Sequence, residues 1–423
     1  MNTSHVPKPK KLKNGLQYLI LPTDSQTVSV SVMVKTGSAF ESKKENGIAH
    51  FLEHMMFKGT QKRLTAKDVA IDFEKIGAIN NAFTSHTTTG YWAKAQKDHA
   101  HTILEILSDI YNNAQFRTVE IEKEKGVVLQ EMAMYEDMPQ EKVSMMFDEL
   151  MYPDQAFGRS ILGSKETVNS LNEKQLRNFY NTHYGRERTW IVISGGVDAA
   201  AIEKDIKKYF GNAQDKVHVE QKLIEPKVKK AGEKYSFKEK KTDQVHFVLG
   251  MQADGYLSED RYVYQILATI LGRGMSSRLF IKMREELGIC YYTNAGYGTL
   301  TETVGQFGVS AGVDVKRVDL GLKTVIEECM QFTKELVSDD ELAKAKQMLK
   351  SSIAMNMETA EDIANFYATQ YMRNVKIKTP DQIYKMLDKV TAEDVMRIAK
   401  KTFILKDMYL AAIGENISGL RIM

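Results

Sequence analysis

Apolar and polar residues alternate strictly in Thr27-Val-Ser-Val-Ser-Val-Met-Val, the period of a strand with one buried face. A strand over 16–22 precedes it. The period then changes to helical. Residues 47–57 form an almost wholly apolar helical stretch, and 65–76 a second helix that starts at a Thr65 cap. Residues 77–95 read as a strand pair around Thr87-Thr88-Thr89-Gly90. Over 101–111, Ile103, Leu104, Ile106, Leu107 and Ile110 fall on one helical face. Helices over 119–135, 141–151 and 172–181 and a buried strand over 188–196 complete the first half.

The second half repeats this order. It predicts a strand over 245–251, helices over 261–271 and 276–287, strands at Tyr291 and over 306–312, helices over 318–329 and 339–357, and a closing strand over 408–414. Phe73-Glu-Lys-Ile-Gly77 precedes a strand pair in the first half, as Arg284-Glu-Glu-Leu-Gly288 does in the second. The pattern implies two copies of one α+β unit of about 200 residues. The divide falls in a charged, poorly apolar stretch over 217–232, giving domains 1–220 and 221–423.

Composition narrows the function classes. The 423 residues are 43% hydrophobic and 27% charged, ordinary for a globular protein, and the formal charge is only +3. That charge gives no case for nucleic acid or an anionic membrane. The basic runs over 8–13 and 227–241 lack interleaved stacking aromatics and read as solvated. Two cysteines, Cys290 and Cys329, make no disulfide framework. With no signal peptide and no apolar run of about 18 residues, the expected location is cytoplasmic.

One segment carries chemistry. In Gly47-Ile-Ala-His50-Phe-Leu-Glu53-His54-Met-Met-Phe57 the only ionisable residues are two histidines and a glutamate. On a helix, His50 and His54 are one turn apart on one face, the spacing at which two imidazoles share a Zn²⁺. Glu53 lies on the same side and suits a general base. Three buried polar groups in so apolar a helix need a compensating partner. This is the inverted H-x-x-E-H pattern. A third ligand must come from elsewhere. Glu131, a lone carboxylate in an apolar helical run, is the candidate, and Glu124 sits two turns earlier on the same face. Read alone, Glu131 is as easily an exposed helix residue and Asn81 a turn or strand-end residue.

With these residues in view, the sequence resembles the M16 family of metallopeptidases, the pitrilysin and insulysin group, over essentially its whole length. It is most similar to the short members, the mitochondrial processing peptidase subunits and their bacterial relatives. His50 to Thr60 resembles the family's zinc motif and its continuation, and Ile121 to Glu131 its third-ligand helix. The resemblance implies Glu131 as ligand and Glu124 as the carboxylate behind it. It also implies that Asn81, Ala82 and Phe83 lie on an edge strand that receives substrate as an added strand. Ser276 to Tyr291 resembles the C-terminal segment whose arginine and tyrosine, here Arg284 and Tyr291, steady the tetrahedral oxyanion. On the residues alone, Arg284 can equally be a surface ion-pair partner of Glu285 or Glu286.

The fold class expected is therefore α+β: two homologous α/β-sandwich domains of the LuxS/MPP-like metallohydrolase type, with a clamshell dimer. One zinc ion per chain follows, because the helix over 262–270 lacks the motif. The implied activity is zinc-dependent endopeptidase cleavage of peptides or unfolded segments, in a homodimer or in a heterodimer with an inactive relative. A catalytically silent, partner-binding subunit and a metallohydrolase of non-peptide substrate are the alternatives. Other features suggest no role: Ser85-His86 has no triad partner, Gly272-Arg-Gly274 reads as a turn, and His99, His101, His183, His218 and His246 are isolated. Met132, Met134, Met138, Met145 and Met146 read as core or chamber lining.

Overall fold

The computed structural model describes residues 6–211, 222–228 and 232–422. The expected divide at 217–232 thus lies partly outside the described residues, as does His218. The chain forms two compact units. The first comprises residues 1–132, 160–224 and 355–379, and the second 133–159, 225–354 and 380–423.

The first unit begins with strands β1 (Lys10–Lys11), β2 (Gln17–Pro22) and β3 (Thr27–Val34). Helices α1 (Ile48–Met56) and α2 (Ala66–Glu74) follow, then the hairpin β4 (Ile79–Thr84) and β5 (Thr89–Gln96). Thr65 does cap α2, in a reciprocal box with Asp68. Next come α3 (Ala100–Asn113) and α4 (Thr118–Asp137), which passes into the second unit and is followed there by α5 (Pro139–Met151). Back in the first unit are α6 (Lys165–Ser170), α7 (Glu173–His183), β6 (Thr189–Gly195) and α8 (Ala199–Phe210).

The second unit continues with β7 (Tyr235–Glu239), β8 (Gln244–Asp254) and α9 (Arg261–Gly272), then β9 (Cys290–Thr299) and β10 (Val304–Asp314). Helices α10 (Val318–Gln331) and α11 (Asp339–Met355) lead to α12 (Ala360–Met372), which belongs to the first unit. Helices α13 (Pro380–Lys389) and α14 (Ala392–Thr402) and strand β11 (Tyr409–Gly414) close the second.

The two sheets show the repeat directly. Their strand orders are β1-β2-β6-β3-β5-β4 and β7-β11-β8-β10-β9. Without β1 the orders correspond strand for strand. In each, the first strand pairs in parallel with the last (β2 with β6, β7 with β11), and every other pairing is antiparallel.

Two sequence expectations are corrected. β3 buries both faces, not one. Val28, Val30, Val32 and Val34 join the main core beneath α1 and α3. On the other face Met33 packs with Trp190, Ile363, Tyr367 and Met372, because α12 lies across it. The two serines that made the strand look amphipathic, Ser29 and Ser31, are buried there too. Second, the helix expected over 276–287 is present but is π-helical over Phe280–Glu286. The compact units also run differently from a division into 1–220 and 221–423. α5 covers one face of the second sheet, where Phe147 fills the space above Gly250, and α12 covers one face of the first. Each sheet is thus completed by a helix from the other half of the chain. Among the described residues, no helix is long and apolar enough to cross a membrane.

Candidate metal centre

Helix α1 starts without a side-chain cap of its own. Its N-cap, Gly47, has φ 96°, a left-handed value that favours glycine. A Cβ there would also meet the Leu162 carbonyl oxygen at 2.6 Å. Glu41 does the capping from outside the helix. Its buried carboxylate accepts from the Gly47 and Ala49 N–H groups, both at 2.8 Å, and from Asn46 Nδ2 at 2.9 Å. An anion at this end also complements the helix dipole. The start of the helix is thus capped just ahead of its first histidine.

His50 and His54 project side by side, with ring centroids 4.6 Å apart. Glu131 arrives from α4. Its Oε2 is 3.7 Å from His50 Nε2 and 3.7 Å from His54 Nε2. These separations are too long for hydrogen bonds. They suit two ligands around one ion, since Zn–N and Zn–O lengths near 2.0–2.1 Å at a tetrahedral angle put ligand atoms about 3.4 Å apart. Among the described residues this is the one group of three or more His, Cys, Asp or Glu side chains close enough to hold a metal ion. Two imidazoles and one carboxylate leave a fourth position open, the donor set of a catalytic zinc site.

Burial, then the neighbouring His54, pushes His50 down to about 3, so its imidazole is neutral and free to offer a lone pair. Burial raises Glu131 and Glu53 above the ordinary carboxylate range. Glu53 is buried, and Thr84 Oγ1 donates to its Oε2 at 2.5 Å. Glu124, on α4, bonds His54 Nδ1 through Oε1 at 2.8 Å and Lys58 Nζ through Oε2 at 2.6 Å. Burial opposes its ionisation, but His54 and Lys58 outweigh burial and hold it below the usual range. Accepting from Nδ1–H, Glu124 leaves the Nε2 lone pair of His54 for an ion.

The sequence can now be set beside known proteins. Residues 19–165 match the family model described as Insulinase (Peptidase family M16), and residues 170–349 that described as Peptidase M16 inactive domain. The chain is 33% identical to an uncharacterized zinc protease of Rickettsia felis, over 93% of this chain and 94% of that protein. The chain belongs to peptidase family M16. This M16 chain is also 30% identical to the mitochondrial-processing peptidase subunit beta of Bos taurus, over 95% of its own length and 83% of that subunit. In fold it is similar to a protease from Helicobacter pylori, with a TM-score of 0.89 at 21% identity, covering 97% of this chain and 100% of that one.

The other anticipated residues of the M16 chain fall in two places. Asn81, Ala82 and Phe83 lie on β4, the end strand of the first sheet. Ile79, Asn81 and Phe83 are exposed in alternation. A cavity of about 350 Å³ runs from Glu53 and His54 past Phe57, Val69 and Phe73 to Asn81 and Ala82. Arg284 and Tyr291 belong to the second unit. Arg284 Nη1 donates to the Tyr291 carbonyl at 2.9 Å, and its guanidinium is 5.3 Å from the Tyr291 ring centroid. Glu286 pairs with Lys282 instead, so the ion-pair alternative with that residue is not what the structure shows. Tyr291 is 71% exposed. Reading the sequence missed Glu41, Lys58 and Thr84. Thr84 directly follows Asn81, Ala82 and Phe83, and Lys58 lies one turn beyond His54, but Glu41 carries no local signal.

Proposed function

We propose that this M16 chain is a zinc-dependent endopeptidase that hydrolyses peptides or unfolded segments within a dimeric chamber. The observation that carries the reading is the convergence of His50, His54 and Glu131 on one point, with the buried Glu53 carboxylate on the same helix. His50 Nε2, His54 Nε2 and a Glu131 carboxylate oxygen would hold one zinc ion. When bound, that ion supplies Lewis-acid activation of water and of the scissile carbonyl.

The chain's own residues do the rest. Glu53 takes the proton of the attacking water and hands it to the leaving amine, a task suited to a carboxylate whose affinity for protons burial has raised. Thr84 holds one oxygen of that carboxylate, leaving the other to work. β4 offers an exposed backbone edge to an extended substrate, recognition by main-chain bonds that tolerates many sequences. In the dimer, Arg284 and Tyr291 of one copy supply a cation and a phenol to the oxyanion that develops at the metal set of the other copy. One chain carries both the metal set and this pair, which supports a homodimer over a heterodimer with an inactive relative. Both cysteines are free and buried, which fits the cytoplasm.

The test is cleavage of a quenched, unstructured peptide library, run beside Glu53→Gln and beside a zinc chelator. Activity lost in both controls is expected. Activity that survives Glu53→Gln, or none from a dimer holding one zinc per chain, overturns the reading.

A further inference from the structure

Lys58 follows the motif helix, four residues after His54, and its side chain turns inward to the ionised Glu124. The Glu124 side chain is 4% exposed and that of Lys58 24%. A carboxylate this buried is costly unless each oxygen has a partner. Glu124 has one partner on each oxygen: His54 Nδ1 at 2.8 Å on one and Lys58 Nζ at 2.6 Å on the other. The ammonium therefore sets the plane of the carboxylate, and the carboxylate sets both the plane of the His54 ring and the nitrogen that carries its proton.

We propose that Lys58 is a positioning residue for the metal centre, clamping Glu124 so that His54 Nε2 faces the same point as His50 Nε2 and Glu131. This rests on the zinc reading above. Without the ammonium, the unpaired Glu124 oxygen must seek water. The carboxylate then rotates away from Nδ1, and the ring loses its orientation. Lys58 acts through Glu124 and need not touch substrate. A merely structural role, pinning the end of α1 to α4, predicts a change in stability without a selective change in metal affinity.

The experiment measures zinc affinity by competition with a chromophoric chelator, together with the melting temperature of the metal-free protein. It compares wild type, Lys58→Met, Lys58→Arg, Glu124→Gln and the Lys58→Met/Glu124→Gln double variant. Lys58→Met is expected to weaken zinc binding about 10- to 100-fold, the range for partners behind a ligand. Lys58→Arg should restore it to within about threefold, because the cation is kept. In the Glu124→Gln background Lys58→Met should add almost nothing, since both act through one carboxylate. Unchanged zinc affinity in Lys58→Met, or a full additive loss in the double variant, overturns the proposal while leaving the zinc reading intact. A wild-type chain that takes up no zinc overturns the zinc reading itself.

Discussion

Glu41 is the residue on which the start of the motif helix depends, and its loss can be worked out from the structure. Glu41→Gln keeps the shape of the side chain but replaces one carboxylate oxygen with an NH₂ group. If the remaining oxygen keeps Asn46 Nδ2 and the Gly47 N–H, the amide faces the Ala49 N–H, which is left buried without an acceptor. An unpaired buried donor costs about 1–3 kcal/mol. Losing the anion at the helix N-terminus removes about 0.5–1 kcal/mol more. The sum is about 3 kcal/mol. Both tryptophans, Trp92 and Trp190, lie in the first unit, so tryptophan fluorescence reports that unit alone. With an m value of about 2–3 kcal/mol/M, urea unfolding of metal-free Glu41→Gln should show its midpoint lowered by about 1 M. A shift worth less than about 0.5 kcal/mol, the range of an ordinary surface change, would refute the capping argument.

Three other perturbations follow from the same geometry. Thr84→Val should lower kcat for peptide cleavage about tenfold with little change in KM, because one oriented hydrogen bond to Glu53 is lost, whereas Thr84→Ser should stay near wild type. His183 stacks on Phe179 and is held by burial, then by Arg188, down at about 4. The unfolded chain takes up this proton first as pH falls below 6.5, so stability is lost from there until about 4, by about 3 kcal/mol in all, and His183→Gln should flatten that slope in urea titrations. Asp148 has the opposite sign. Burial lifts it to about 6 against the pull of Gln306, so the unfolded chain ionises first and stability falls as pH rises from 3.8 to about 6. Asp148→Asn should therefore be the more stable protein at neutral pH, by about 2 kcal/mol after allowance for its partial exposure. Equal urea midpoints would contradict this.

The sequence was most legible where one element carries its own pattern. The alternation of β3, the i, i+4 histidines of α1 and the Thr65 cap each depend on neighbours within a turn or a strand. The repeat was visible as an order of elements, and the two sheets show it as one strand order used twice. What escaped depends on contacts between distant segments. Nothing near Ser29 or Ser31 announces that α12, more than 300 residues later, will cover their face. Glu41 looks like any loop glutamate until the chain brings it against Gly47. Glu131 was in view as a candidate, but only the packing of α4 against α1 brings it to the two histidines. Lys58 was passed over because a lysine after a helix normally points to solvent, and only the buried Glu124 draws it inward.

The central claim is that His50, His54 and Glu131 hold one zinc ion. Crystals of the zinc-loaded protein measured on either side of the zinc absorption edge test it most directly. The account predicts one strong anomalous peak per chain at about 2.0–2.1 Å from His50 Nε2, His54 Nε2 and a Glu131 carboxylate oxygen. A protein whose anomalous maps show no peak there, or whose only peak lies on other side chains, would contradict it.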